Sequence, residues 1–146
     1  MDGKIRVWDI RNGEQTLIIP TQLASNPITS LSISPVDDKT IFVVSKHSIK
    51  TYDLASTNPI VEFTDPDGKF NYGSSKGCFS PDGKCVAVGS NDGLIFVWEV
   101  EDGRKINVLK ESHQLNSITC VDWSKQGKLI SCDKAGNTVL WNKPHV

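Results

Sequence analysis

No apolar run in this chain approaches the length of a membrane-spanning helix, and the short stretch Leu17-Ile18-Ile19 stops at Pro20. Neither a secretory nor a transit peptide is visible. No Asn-x-Ser/Thr acceptor occurs, so nothing points to glycosylation in a secretory compartment. Charge of neither sign dominates: 16 Lys and Arg stand against 17 Asp and Glu, for a net charge of −1. That balance removes the broad electrostatic case for nucleic acid or for an anionic membrane surface. Cys78, Cys85, Cys120 and Cys132 include no CxxC pair. They read as buried or half-buried reduced thiols rather than metal ligands or disulfides. The three histidines, His47, His113 and His145, show no metal-ligand spacing, so no zinc site is expected. These absences predict a cytoplasmic chain without metal, cofactor or inserted membrane segment.

A sustained helical period is missing too. Apolar residues instead alternate, or run in short blocks separated by Gly, Asp, Asn, Ser and Pro, which predicts an antiparallel all-β chain. Within that pattern four aromatics, Trp8, Tyr52, Trp98 and Trp141, recur at intervals of 44, 46 and 43 residues. Each closes a similar run: Ile5-Arg6-Val7-Trp8-Asp9, Ile49-Lys50-Thr51-Tyr52-Asp53, Ile95-Phe96-Val97-Trp98-Glu99 and Thr138-Val139-Leu140-Trp141-Asn142. A second register, Ser32-Ile33-Ser34-Pro35, Cys78-Phe79-Ser80-Pro81 and Asp122-Trp123-Ser124-Lys125, repeats at 46 and 44. Two registers with nearly one period mean copies of one supersecondary unit. Asp2-Gly3, Asn12-Gly13, Asp92-Gly93 and Asp102-Gly103 are the tight-turn candidates, because glycine tolerates positive φ.

The strands expected from this pattern are near 4–10 and 15–19; 28–34, 40–45, 48–54 and 60–63; 76–80, 84–90, 94–100 and 105–110; and 118–123, 128–133 and 138–142. They divide the chain into the end of one unit (1–20), two full units (27–63 and 76–110) and a terminal three-stranded unit (117–146). The polar stretch from Thr64 to Gly73 reads as an ordered loop between units. At roughly 40–45 residues per four-stranded blade, the chain holds about three blades, whereas a closed ring of blades takes about four to eight. An incomplete β-propeller is therefore expected, and Met1-Asp2-Gly3 would begin it inside a turn.

The runs Ile5-Arg6-Val7-Trp8-Asp9 and Phe79-Ser80-Pro81-Asp82-Gly83, with Asn91-Asp92-Gly93 leading to Val97-Trp98, resemble the WD-repeat family of β-propellers. The resemblance covers essentially the whole chain. It implies a buried tetrad of His, Ser or Thr, Asp and Trp bracing each blade, and this sequence keeps that set unevenly. The last unit offers His113, Ser131 and Trp141, with Ala135 at the aspartate position and Asp133 two residues earlier. The third offers Asp92 and Trp98, but Val88 replaces the hydroxyl residue and no histidine precedes it. In the second, Tyr52 replaces tryptophan and His47-Ser48 replaces the Asp-Gly turn; in the first, Trp8 remains. These blades are expected to rely more on apolar packing than on a polar brace.

A narrower likeness begins at Phe70-Asn71-Tyr72-Gly73-Ser74. It continues through Val86-Ala87-Val88-Gly89-Ser90 to Ser131-Cys132-Asp133-Lys134 and Val139-Leu140-Trp141. This run is similar to the terminal blades of the autophagy-related protein 16 family. In that family an N-terminal segment and coiled coil engage the conjugate of autophagy proteins 5 and 12, which directs attachment of the ubiquitin-like autophagy protein 8 to lipid. The propeller acts as a recruitment platform. The resemblance thus implies a non-enzymatic scaffold whose partners are proteins of the autophagy conjugation machinery or its recruiters, peripheral at autophagosome precursor membranes through those partners.

Catalytic readings of individual residues are weak. Asp9, Asp53 and Glu99 recur in register, as do Ser34, Ser80 and Ser124, and repetition favours structure over an acid-base pair or a nucleophile. His113 stands just before a first strand, the place of a brace histidine. Lys4, Arg6, Arg11, Lys46 and Lys50 could line a ligand surface, though solvated edges explain them more simply. The partner-binding residues are unknown from sequence. The alternatives are a generic WD-repeat scaffold, such as a substrate adaptor of a ubiquitin ligase, and an enzyme built on a propeller. Unpaired lateral edges predict marginal stability for the isolated chain and an opening for self-association.

Overall fold

The computed structural model describes residues 3–21, 27–70, 75–110 and 112–142. Asp2, the Asn71-Tyr72-Gly73-Ser74 run and His145 lie outside the described residues. Thirteen strands and no helix are present among those described. Strands β1 (Lys4–Asp9) and β2 (Glu14–Pro20) form a two-stranded sheet. β3 (Ile28–Ile33), β4 (Thr40–Ser45), β5 (Ile49–Asp53) and β6 (Pro59–Phe63) form a four-stranded meander. A second four-stranded meander comprises β7 (Gly77–Phe79), β8 (Cys85–Gly89), β9 (Ile95–Glu99) and β10 (Lys105–Leu109). The last sheet has three strands, β11 (Ile118–Trp123), β12 (Leu129–Asp133) and β13 (Thr138–Trp141). All neighbours pair antiparallel, and the ring is not closed.

The central sheets are sandwiched, and their sequences show why. β8, Cys-Val-Ala-Val-Gly, is buried at every position, because its alternate side chains face different neighbours. Val86 and Val88, with Phe96 and Trp98 of β9, pack on Phe42, Val44, Ile49 and Phe63 of the preceding sheet. Cys85 and Ala87, with Ile95 and Val97, pack on Ile118, Val121 and Leu129 of the last sheet. β4 divides in the same way, sending Ile41 and Val43 with Tyr52 against Ile5 and Ile19. Each fully buried large side chain contributes about 1.5–3 kcal/mol, so these three layers carry the stability. The end sheets have no second neighbour. Their outer faces consequently expose Ile18, Ile130 and Leu140.

The first strands of the three larger sheets, β3, β7 and β11, lie side by side. Ser30 and Gly77 bond reciprocally there: the Ser30 hydroxyl donates to the Gly77 carbonyl at 3.1 Å, and the Gly77 N–H donates to the Ser30 Oγ at 3.2 Å. Between β8 and β11 the approach is so close that a Cβ on Gly89 would sit 2.3 Å from the Ile118 side chain. Between the two central sheets, the loop after β6 is pinned by three contacts. Its Asp65 pairs with Lys105, its Lys69 carbonyl accepts the Asn91 N–H at 2.9 Å, and Phe70 rests on Phe96 at 5.2 Å between ring centroids.

Candidate functional site

Ser131 and Asp133 are two residues apart on β12, so both project onto the face packed against β8 and β9. His113 enters from the segment before β11, where Gln114 and Leu115 hold positive φ of 45° and 66° and the Asn116 N–H returns to the His113 carbonyl at 2.8 Å. Trp141 arrives from β13. These four side chains form one continuous relay. The Trp141 indole N–H donates to Ser131 Oγ at 2.8 Å, and Ser131 Oγ lies 2.7 Å from His113 Nε2. His113 Nδ1 is 2.9 Å from Asp133 Oδ2.

One proton arrangement satisfies every member. Asp133 can only accept when ionised, so His113 Nδ1 carries the proton, Nε2 accepts from the Ser131 hydroxyl, and that oxygen accepts from Trp141. Asp133 also receives the Ala135 and Asn137 backbone N–H groups at 2.9 Å each and the Asn137 side-chain amide at 2.8 Å. Burial opposes ionisation of this carboxyl, but the hydrogen bonds from Asn137, His113 and Ala135 prevail and hold it well below the usual carboxylate range.

Ser131, His113 and Asp133 have the connectivity of a Ser-His-Asp nucleophile system, yet the setting removes its chemistry. Ser131 and His113 are both 0% exposed. A substrate carbonyl has no approach to a hydroxyl already committed to an indole and an imidazole, and a nucleophile requires a site about 3 Å away for the reacting atom. The relay is a closed internal network. The repeat alignment places Ala135 at the aspartate position and Asp133 two residues earlier; in the structure it is Asp133 that supplies the carboxylate. The i, i+2 spacing of Ser131 and Asp133 on a strand was the sequence signal available for it.

The other aromatics of the repeat are held differently. Trp98 is 0% exposed, yet among the described residues its indole N–H has no partner. Phe96 stacks on it with centroids 5.6 Å apart and planes at 17°, while Phe63 and Phe70 flank it at 5.9 and 6.0 Å. Asp92, expected beside Trp98, instead accepts from the Ser90 hydroxyl and pairs with Lys69 at 3.5 Å. It shapes the Ser90–Leu94 turn, in which Gly93 takes a φ of 81°. Tyr52 is buried among Ile5, Ile19, Ile41 and Val43, and burial raises its phenol above the ordinary value. Trp8 is 54% exposed. With Val7, Leu31 and Ile33 it lines an apolar groove of about 350 Å³ between the first two sheets.

Asp9, Asp53 and Glu99 each close the turn that follows them. Asp9 grips Arg11 at 2.6 Å, Asp53 accepts the Ala55 N–H at 3.0 Å, and Glu99 holds Arg104 at 2.6 Å. Arg11 is thus spent on Asp9, and Lys50 pairs with Glu62 at 3.4 Å, so neither stands ready in a shared cationic surface. All four cysteines are free, but Cys120 is exposed rather than buried or half-buried as expected, because β11 turns it to the open face of the last sheet. Among the described residues, no group of three or more His, Cys, Asp or Glu is placed to hold a metal ion. Among the described residues, no helix is long and apolar enough to cross a membrane.

Residues 71–126 match the family described as the anaphase-promoting complex subunit 4 WD40 domain. The likeness to whole proteins extends further. Protein tipD of Dictyostelium discoideum is 33% identical over 144 residues, which is 97% of this chain and 23% of that protein. Autophagy-related protein 16 of Arabidopsis thaliana is 32% identical over 142 residues, again 97% of this chain and 27% of that protein. The chain is similar to WD-repeat proteins, through the WD40 match at residues 71–126 and through these relatives along nearly its whole length. Its sheets are the blades of a partial β-propeller. A third relative, the target of rapamycin complex subunit wat1 of Schizosaccharomyces pombe, is 28% identical over 143 residues, 97% of this chain and 43% of that protein. The chain spans about a quarter of the length of the first two of these relatives. WD-repeat propellers are in general non-catalytic scaffolds that mediate protein–protein interaction.

Proposed function

We propose that this chain is a non-enzymatic recruitment platform acting in autophagosome formation, as a propeller portion of an autophagy-related protein 16-like protein. The observation that carries the proposal is the 32% identity to Arabidopsis autophagy-related protein 16 along 97% of the chain. The buried Trp98 stack and the His113 relay support it, because both are spent on holding sheets together and leave loops and exposed faces for partners. In this reading Trp98, Tyr52, His113, Ser131, Asp133 and Trp141 brace the blades. Trp8 and the groove it lines offer apolar surface to a protein partner. The protein works in the cytoplasm and reaches autophagosome precursor membranes through its partners.

Affinity purification of the tagged chain from starved cells tests the proposal. Enrichment of autophagy conjugation proteins over an unrelated propeller is the expected result. Similarity to the wat1 subunit favours a second reading, a general WD-repeat scaffold. Recovery of ubiquitin-ligase or kinase-complex subunits without autophagy proteins would establish that reading and sink the first.

A further inference from the structure

Cys120 on β11 and Cys132 on β12 are directly opposed partners in the antiparallel ladder. Opposed side chains leave a sheet on the same face. Here it is the face turned away from β7–β10, since the neighbouring pair Val121 and Ser131 takes the packed side. Cys120 is exposed, Cys132 is half-buried, and both thiols are free. Opposed Cα atoms in such a ladder stand about 4.5–5.5 Å apart, inside the span of about 4.4–6.8 Å that a disulfide bridges. Cys78 and Cys85 are placed differently. Burial pushes the Cys85 thiol up to about 11. Burial, aided by the nearby Asp122 and Cys120, pushes Cys78 higher still. Both stay protonated near neutral pH and are poor nucleophiles.

We propose that Cys120 and Cys132 form a reversible thiol–disulfide modification site whose oxidant is a disulfide of the glutathione class. The exposed Cys120 thiolate attacks one sulfur of the donor, forming a mixed disulfide and releasing one donor thiolate. The Cys132 thiolate then attacks the Cys120 sulfur, closes the Cys120–Cys132 bond and releases the second donor thiolate. The two protons lost by the protein thiols pass to the two donor thiolates, and two electrons reduce the donor disulfide. Opposed Cβ atoms rest about 4.5–5.5 Å apart, whereas a relaxed disulfide holds them at about 3.5–4.5 Å. Closure therefore draws β11 and β12 together and leaves a bond that reduced glutathione reopens. The modification falls on the face that also exposes Ile130 and Leu140.

Peptide mapping of the full chain after incubation with oxidised glutathione and alkylation of remaining thiols tests this. Lys125 and Lys128 lie between the two cysteines, so trypsin separates peptide 111–125 from peptide 129–134 and only a disulfide rejoins them. The expected product is that linked pair, reopened by reduced glutathione, with Cys78 and Cys85 alkylated. Cys132→Ser should accumulate a glutathione adduct on Cys120, because the resolving thiol is gone. Cys120→Ser, at an exposed position, should yield no linked pair and leave Cys132 alkylated. Linkage of Cys120 to Cys78, a lasting glutathione adduct on Cys120 in the unsubstituted chain, or alkylation of all four thiols would each overturn the proposal.

Discussion

Trp98 in β9 and Trp141 in β13 stand at equivalent places in neighbouring sheets, yet they are held by different forces. Trp141 is tied through its N–H into a relay that ends on an ionised, fully bonded carboxylate. Trp98 has Phe96, Phe63 and Phe70 around its ring and, among the described residues, nothing on its nitrogen. The neighbours explain the contrast. The β7–β10 sheet is covered on both faces and can trade a polar bond for aromatic surface. Among the described residues the last sheet is covered on one face only, so the three directional bonds of the relay fix what packing on the second side does not. Leaving the Trp98 N–H buried and unpaired costs about 1–3 kcal/mol, and the apolar area of a buried indole with its ring contacts outweighs that.

The largest test of the contrast is Trp98→Ala. Emptying the site of this large, fully buried aromatic should destabilise the chain by about 3–5 kcal/mol, measured by urea unfolding. Trp98→Phe should recover most of the loss, since the indole N–H it removes makes no bond. An equal loss for both variants would mean that the nitrogen matters and that the packing account of this sheet is wrong.

The strands were readable almost residue by residue, because period-two apolar patterning and Gly-bearing turns mark them and each observed boundary falls within about two residues of its expectation. The apolar bracing around Trp98 was also legible, from Val88 at the hydroxyl position and the lack of an upstream histidine. Asp133 was not. Repeat alignment counts residues along the chain, while the relay depends on which face of β12 a side chain leaves, and Asp133 shares that face with Ser131 where Ala135 lies beyond the strand. The exposure of Trp8 and Cys120 escaped for another reason. Register assigns equivalent positions in each copy, but burial depends on whether a neighbouring sheet covers the position.

Ser131→Ala probes the other side of the comparison. It strips the hydroxyl that serves both His113 Nε2 and the Trp141 N–H, leaving a buried imidazole nitrogen unsatisfied at about 1–3 kcal/mol and a half-buried indole N–H at the low end of that range. The expected loss is about 2–4 kcal/mol by thermal or urea unfolding. A loss under about 0.5 kcal/mol would show that packing alone holds the last sheet. The relay also makes a pH signature that the Trp98 stack does not. Asp133 titrates below its unfolded value of about 3.9, so its contribution is fully present above that value and fades as pH falls toward the native one. Asp133→Asn should lower stability at neutral pH and flatten the acid-side decline; an unchanged acid limb would place that decline on other carboxylates, such as Asp37, which backbone N–H groups of Thr40 and Lys39 bring to about 2.

Trp8→Ala should be the mildest of these changes, although Trp8 fills the same repeat position as Trp98 and Trp141. More than half of its surface already meets water, so truncation removes less than half of the area lost at Trp98 and should cost about 1–2 kcal/mol. If Trp8 is partner surface rather than a brace, the variant separates folding from binding. Unfolding should shift far less than for Trp98→Ala, while recovery of protein partners in the affinity experiment falls. A loss approaching that of Trp98→Ala would return Trp8 to the bracing set and leave the groove beside Leu31 and Ile33 without an argument for docking.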